Sequence, residues 1–361
     1  MIKKIGVITG GGDCPGLNAV LRAVVKTAIC KYQYSVIGFR DGYHGLVEND
    51  WVQLELAKAS GILDRGGTIL GSSNRDNPFN YKIEENGIVK YADKSDQVMA
   101  NIKSHGIDAM ILIGGDGTLT SARDFTRKGL KVVGVPKTID NDLSGTDLTF
   151  GFMTAVDTAT EALDKLHTTA ESHHRIMILE VMGRYAGWIA LEAGIAGGAD
   201  MILIPEIPYD IRKIAEKAIE RQRAGKNFSI VVVAEGARPK GGEMVISHIV
   251  KDSPDPIRLG GIGQQVAQEL TAITGIDSRV TVLGHLQRGG RPSPFDRILS
   301  TRYGVGAVEM VQKGAFGMMV SLQGNEISAV SLEEAVGKLK TVPPDGELIA
   351  IAKSVGVEFG D

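Results

Sequence analysis

The chain has 361 residues, with 40 lysines and arginines against 43 aspartates and glutamates, a balance of -3. That charge gives no electrostatic reason to expect nucleic acid or an anionic membrane as partner, and it leaves small molecules as the expected ligands. With 43% apolar and 23% charged residues the composition is globular, and the length suits two domains at about 150 residues each.

The chain opens Met1-Ile2-Lys3-Lys4-Ile5-Gly6 and meets glycines before a signal-length apolar core develops. No apolar run approaches the roughly 20 residues of a membrane span, so a reducing cytoplasm is the expected address. Residues 5–8 predict the first buried strand and 17–29 a helix. Between them lies Thr9-Gly10-Gly11-Gly12-Asp13-Cys14-Pro15-Gly16, a turn whose glycines let backbone N–H groups approach an anion at a helix N-terminus. It fits neither the dinucleotide GxGxxG, since Pro15 stands at the last glycine, nor a P-loop, since no GKS or GKT follows. Cys14 and Cys30 sit at opposite ends of the helix, roughly 20 Å apart, and are not expected to pair.

A second strand is predicted at 109–113, followed by Gly114-Gly115-Asp116-Gly117-Thr118. Alone, Asp116 would read as a helix cap; beside bound phosphates, one carboxylate suffices for Mg²⁺, which keeps waters and takes its other oxygens from substrate. After a strand at 132–135 comes Pro136-Lys137-Thr138-Ile139-Asp140-Asn141-Asp142. In an extended segment Asp140 and Asp142 would point the same way, one able to act on a hydroxyl while the other manages metal or local charge. Two glycine turns and this carboxylate pair together predict a phosphoryl-transfer centre.

Helices are predicted at 154–169, 186–196, 211–224 and 262–273, alternating with strands at 176–180, 201–204, 230–234 and 280–283. This βα alternation predicts parallel sheets covered by helices, with functional residues beyond the C-terminal strand ends. Basic groups recur at strand ends as Arg175, Met182-Gly183-Arg184, Arg279 and Gly284-His285-Leu286-Gln287-Arg288, suited to a phosphate-bearing substrate. Glu235, after the strand at 230–234, is placed to accept hydrogen bonds from sugar hydroxyls. The irregular stretch 240–261 reads as an inserted hairpin, and the tail after Val342 as a terminal helix docking on a domain.

The ordered set GGGDCPGLNA, GGTILGS, GGDGT, PKTIDND, SHHRIMILEVMGR, VVVAEGA and VTVLGHLQRGG resembles the phosphofructokinases. The resemblance implies two Rossmann-like three-layer α/β domains with mostly parallel sheets and the active site in the cleft between them. Residues 1–151 with about 288–334 would bind the phosphoryl donor, and 152–287 with about 335–361 the sugar phosphate. It implies a glycolytic transfer from ATP, with Mg²⁺, to the 1-hydroxyl of fructose 6-phosphate, in a homodimer or homotetramer with shared sites. Asp140 is similar to the family's general base, Thr138 and Arg184 complete the catalytic set, and Ile139 lines the substrate loop. Asp116 is similar to the Mg²⁺ carboxylate, and Gly11, Arg75, Gly115, Gly117 and Thr118 to the donor contacts. Met182, Gly183, Arg184 and Glu235 match sugar contacts, His285, Leu286, Gln287 and Arg288 the 6-phosphate side, and Arg175 and Arg279 arginines from a neighbouring subunit.

Gly117 and Lys137 bear on the donor. In the geometry the resemblance implies, Gly117, without a side chain, leaves room for an α-phosphate and nucleoside, whereas a lysine at 137 is typical of pyrophosphate users and of some ATP users. ATP is the expected donor and pyrophosphate the alternative. Kinases of the NAD or lipid type share a GGDGT-like loop but lack the TIDND and GHLQRGG pair. A catalytically silent regulatory subunit would have no chemical need for Asp116, Asp140 and Arg184 together.

Overall fold

The computed structural model describes residues 2–85, 88–249 and 257–361. Continuous apolar runs form its central strands, as buried parallel sheets require. The larger sheet takes β1 (Lys4–Thr9), β2 (Ser35–Phe39) and β3 (Trp51–Leu54), then, past a small hairpin of β4 (Tyr81–Glu85) and β5 (Ile88–Ala92), β6 (Ala109–Gly114) and β7 (Val132–Pro136). The chain goes on through β8 (Ile176–Val181), β9 (Met201–Leu203), β10 (Ser229–Ala234), β11 (Ile246–Ile249), β12 (Ile257–Leu259) and β13 (Ser278–Val282), and ends its strands with β14 (Met318–Gln323) and β15 (Glu326–Ser331).

The large sheet runs β15-β14-β7-β6-β1-β2-β3, parallel from β14 to β2 and antiparallel at both edges. From β1 the chain moves outward to β2, then returns to β6 on the other side. The strand order therefore reverses between β1 and β6, where open α/β sheets leave a crevice at their C-terminal ends. The small sheet, β13-β8-β10-β9, is parallel throughout.

One apolar cluster, including Leu17, Val20, Ile111, Phe152, Leu179, Val232 and Tyr303, joins facing sides of both sheets; the outer face of each sheet packs a cluster of its own. The Leu17–Tyr32, Phe152–His173 and Pro294–Lys313 helices contribute to the shared layer. Asp296, fully buried, accepts from Gly151 N, Thr154 N and Thr154 Oγ1, so a carboxylate from the last of these helices caps the N-terminus of the second. Among the described residues no helix is long and apolar enough to cross a membrane.

The expected helix 154–169 runs Phe152–His173, closed by left-handed Gly151 and His174. The expected strand 280–283 is Ser278–Val282. Strands β11 and β12 pair antiparallel within 240–261, and residues 250–256 of that stretch lie outside the described residues. The tail carries the Glu347–Ser354 helix, which buries Ile349 and Ala352, and it then pairs Glu358 with Met201 of β9.

Candidate active site

The turns after β1 and β6 meet at the sheet's reversal point. Gly10 N donates to Ile113 O at 2.8 Å, and a Cβ at Gly10 or Gly114 would lie 2.7 or 2.3 Å from Thr118 side-chain atoms. Only glycine permits that approach, which packs the two turns against each other. The Asp116–Arg127 helix starts here, its first residues lining the cavity, so its N-terminal partial positive charge faces this place. The Thr68–Ser73 segment completes the wall: Thr9 Oγ1 donates to Gly71 O at 2.7 Å and Ser72 Oγ to Gly11 O at 2.5 Å. This cavity of about 510 Å³, on the side expected to take the donor, is lined by Gly11, Gly12, Gly115–Thr118, Lys137, Thr138, Asn74 and Arg288, among others.

A second cavity, of about 750 Å³, shares Gly11, Gly12, Asn74 and Arg288 with the first and adds Asp140, Met182, Arg184, Glu235 and His285. These come from the C-terminal ends of β7, β8, β10 and β13, so the two sheets face each other across one continuous cleft. Glu235 N donates to Val181 O at 2.9 Å, and Met182 N to Gln287 Oε1 at 3.2 Å. Arg288 reaches across, its Nη1 donating to Asp13 O at 3.3 Å.

Electrostatics divide the cleft. Asp140 is half-buried, and its Oδ1, itself buried, has no hydrogen-bond partner among the described residues. Burial holds its carboxyl above the usual range, with the Arg288, Lys137 and Arg184 charges pulling the other way. Asp142 is raised by burial and by the Asp140 charge. Glu235 is pushed up to about 7 by burial, then by Asp140 and Glu180, against Arg288 and Arg184. Carboxylates displaced in this way within a cleft are what a proton-transfer site requires. Lys137 is buried, its amine is depressed by burial, and its Nζ donates to Gly12 O.

The segment carrying Asp140 and Asp142 is not extended. Asn141 sits at φ 52, left-handed, with its Oδ1 accepting from Thr149 N at 3.1 Å, so the carboxylates flank a turn rather than alternate along a strand. Asp116 opens its helix without capping it and faces the donor cavity. Among the described residues no three His, Cys, Asp or Glu side chains form a metal cage. One carboxylate at a glycine turn of this kind fits a divalent ion that would arrive with bound phosphates and keep its own waters.

Not every expected residue lines the cleft. Ile139 is buried in the core, and Gln287, 0% exposed, holds the Met182 backbone from beneath the cavity. Leu286 is 68% exposed at the rim, and Arg75 is exposed beside Asn74, which does line both cavities. Gly183 turns the chain at φ 136 behind Met182. Arg175 and Arg279, expected to serve a neighbouring subunit, sit at the opposite, N-terminal ends of β8 and β13, away from their own cleft. Asp277 binds both, at 2.8 Å to Arg175 Nε and 2.7 Å to Arg279 Nη1. Tyr43, Asp76 and Asn77 join the donor wall from segments with no phosphate signature of their own.

A family model described as phosphofructokinase matches residues 4–311. A Clostridium perfringens protein named ATP-dependent 6-phosphofructokinase 2 is 64% identical, over 100% of this chain and 99% of its own. A Streptomyces coelicolor protein named pyrophosphate–fructose 6-phosphate 1-phosphotransferase is 51% identical, over 99% of this chain and 100% of its own. Among solved structures, the phosphofructokinase of Pichia pastoris in the T-state superposes with a TM-score of 0.78 at 36% identity over 93% of this chain, which spans only 35% of that longer protein. With a matching model that runs from the first strand into the Pro294–Lys313 helix and relatives alike from end to end, the chain belongs to the phosphofructokinase family.

Proposed function

We propose that the chain is an ATP-dependent 6-phosphofructokinase, making fructose 1,6-bisphosphate and ADP from fructose 6-phosphate and ATP. The observation that carries this reading is the buried Asp140 Oδ1, without a hydrogen-bond partner among the described residues, in a cavity that also holds Arg184, Glu235 and Arg288 and opens onto a glycine-lined anion site. Asp140 accepts the proton of the sugar 1-hydroxyl as its oxygen bonds to the γ-phosphorus and the bond from that phosphorus to the β,γ-bridging oxygen breaks. Arg184 neutralises charge on the group in transit, Thr138 borders its path, and Glu235 accepts from sugar hydroxyls. His285 and Arg288 take the 6-phosphate end. Asp116 would hold Mg²⁺, which when bound neutralises donor phosphate charge.

ATP is favoured as donor because a Cβ at Gly117 would meet nothing within 4 Å, leaving room beyond the β-phosphate, and because the 64% identical relative carries an ATP-dependent name. Pyrophosphate is the second reading, on Lys137 and the 51% identical relative. Residues 1–151 with about 288–334 form the donor half, and 152–287 with about 335–361 the sugar half. Arg175 and Arg279, remote from their own cleft, serve the site of a neighbouring subunit in a dimer or tetramer. Cytoplasmic placement accords with two unpaired cysteines, one of them exposed.

The test incubates the protein with fructose 6-phosphate, Mg²⁺ and either ATP or pyrophosphate, and measures fructose 1,6-bisphosphate. Higher kcat/KM with ATP is expected. A higher value with pyrophosphate overturns the donor assignment, and no product with either overturns the function.

A further inference from the structure

Resting on the reading of Asp140 as the base, we propose that Lys340 is a positioning residue that locks the 140–147 loop and thereby aims Asp140 into the cleft. Lys340 lies some 200 residues away in sequence, in the segment that follows the Leu332–Ala335 helix. Its Nζ donates to Asn141 Oδ1 at 2.9 Å, Thr146 O at 3.0 Å and Asp147 O at 2.7 Å. An ammonium has three protons, and all three are used inside one loop. Its backbone N–H donates to Asp142 O at 2.8 Å, and the neighbouring Leu339 bridges Leu143.

Asn141 is the pivot. Its left-handed backbone sets the directions in which Asp140 and Asp142 leave the chain, a conformation tolerated by asparagine but held only when the surroundings fix it. Lys340 and Thr149 N both hold the Asn141 side-chain oxygen, so removing the ammonium frees one side of that pivot. The same lysine, itself in the sugar half, is anchored there to Trp188, whose Nε1 donates to Lys340 O at 2.9 Å and whose ring centroid lies 5.6 Å from Nζ. Trp188 begins the helix just after Arg184, so one residue ties the base's loop to the element that follows the transferring-group arginine. Burial draws the Lys340 amine down to about 8, against the pull of Asp147, Asp142 and Glu192, so assays belong at pH 7, where it is protonated.

The test uses the full-length protein. Lys340→Met keeps the stem and removes the donors; kcat should fall about 10- to 100-fold, the scale of a misaimed catalytic group, with KM for both substrates within about 3-fold of native. In an Asp140→Asn background the same change should cost little more, because the group being aimed is already disabled. A normal kcat in Lys340→Met overturns the proposal, and so does an equal loss in both backgrounds, which would mean that Lys340 acts elsewhere. If circular dichroism shows Lys340→Met unfolded, Lys340→Gln, which keeps an N–H donor, goes through the same cycle under the same criteria. Absence of turnover by the native protein sinks the assigned function, and the role of Lys340 with it, whereas an active native enzyme indifferent to Lys340 sinks only the latter.

Discussion

The two sides of the cleft are built from different materials. The donor side is mostly backbone: two glycine turns, the N-terminus of the Asp116–Arg127 helix and the Gly71–Ser73 wall, tied by main-chain hydrogen bonds such as Gly11 N to Ser73 O at 2.9 Å. The sugar side is made of charged side chains, Asp140, Arg184, Glu235 and Arg288, contributed by both halves of the chain and converging at a place where burial resists ionisation. Selectivity on a backbone surface depends on what space is left open, whereas chemistry on the charged side depends on how carboxylates and guanidiniums balance. A single substitution should therefore act by sterics on one side and by proton affinity on the other.

The largest effect belongs to the charged side. Asp140→Asn keeps the shape and removes the proton acceptor, so kcat should fall by about 10² to 10⁴ while KM for the sugar moves far less. Near-normal turnover would remove Asp140 from the mechanism. On the backbone side, Gly117→Asp should fold normally, because a carboxylate in the first turn of the Asp116–Arg127 helix suits the helix dipole and its Cβ meets open space. It should lower kcat/KM for ATP by about 10², the scale of a like-charge clash, and that for pyrophosphate much less. Equal losses with both donors would show that position 117 does not sort them.

Arg175 and Arg279 test whether the charged side is finished within one chain. Alanine at either should raise KM for fructose 6-phosphate about 10- to 100-fold, as expected for a lost hydrogen bond to a phosphate, and leave KM for ATP near native. Hybrids of Arg175→Ala and Asp140→Asn subunits should recover activity, since one interface regains both groups. Verified hybrids without recovery would confine each site to one subunit.

The difference in materials also decides what the sequence discloses. A backbone anion site is contiguous, so Gly10–Gly12 and Gly114–Thr118 announce it, as do Asp140, Arg184 and Glu235, each just past a buried apolar strand. The supports are not contiguous. Nothing near Lys340 in sequence signals that it reaches Asn141, and Gln287 sits in the substrate motif yet works beneath it. The left-handed turn at Asn141 likewise depends on partners at Thr149 and Lys340, so an extended segment was the natural local expectation. Edge strands such as β3, with Trp51 40% exposed, lack the continuous apolar run by which the buried strands are found.

A cation of the donor side also acts across the divide, and it supplies the smallest effect. Lys137 lines the donor cavity, yet after burial the charges acting on Asp140 are Arg288, Lys137 and Arg184, all favouring the carboxylate. Arg184 and Arg288 are assigned to substrate, so their removal would confound binding with proton affinity; Lys137 touches Gly12 O instead. As a base, Asp140 works only when ionised, and burial raises its pKa, so activity should fade on acidification at a pH above the ordinary carboxylate range. In Lys137→Met a stabilising cation is lost, the Asp140 pKa rises further, and the acid limb of kcat, measured with saturating ATP and sugar, should move to higher pH. The plateau at alkaline pH should change only modestly, because an ionised Asp140 no longer needs the lysine to keep it so. An acid limb that stays put or moves to lower pH would separate the two sides electrostatically and leave Lys137 with a donor-side role alone.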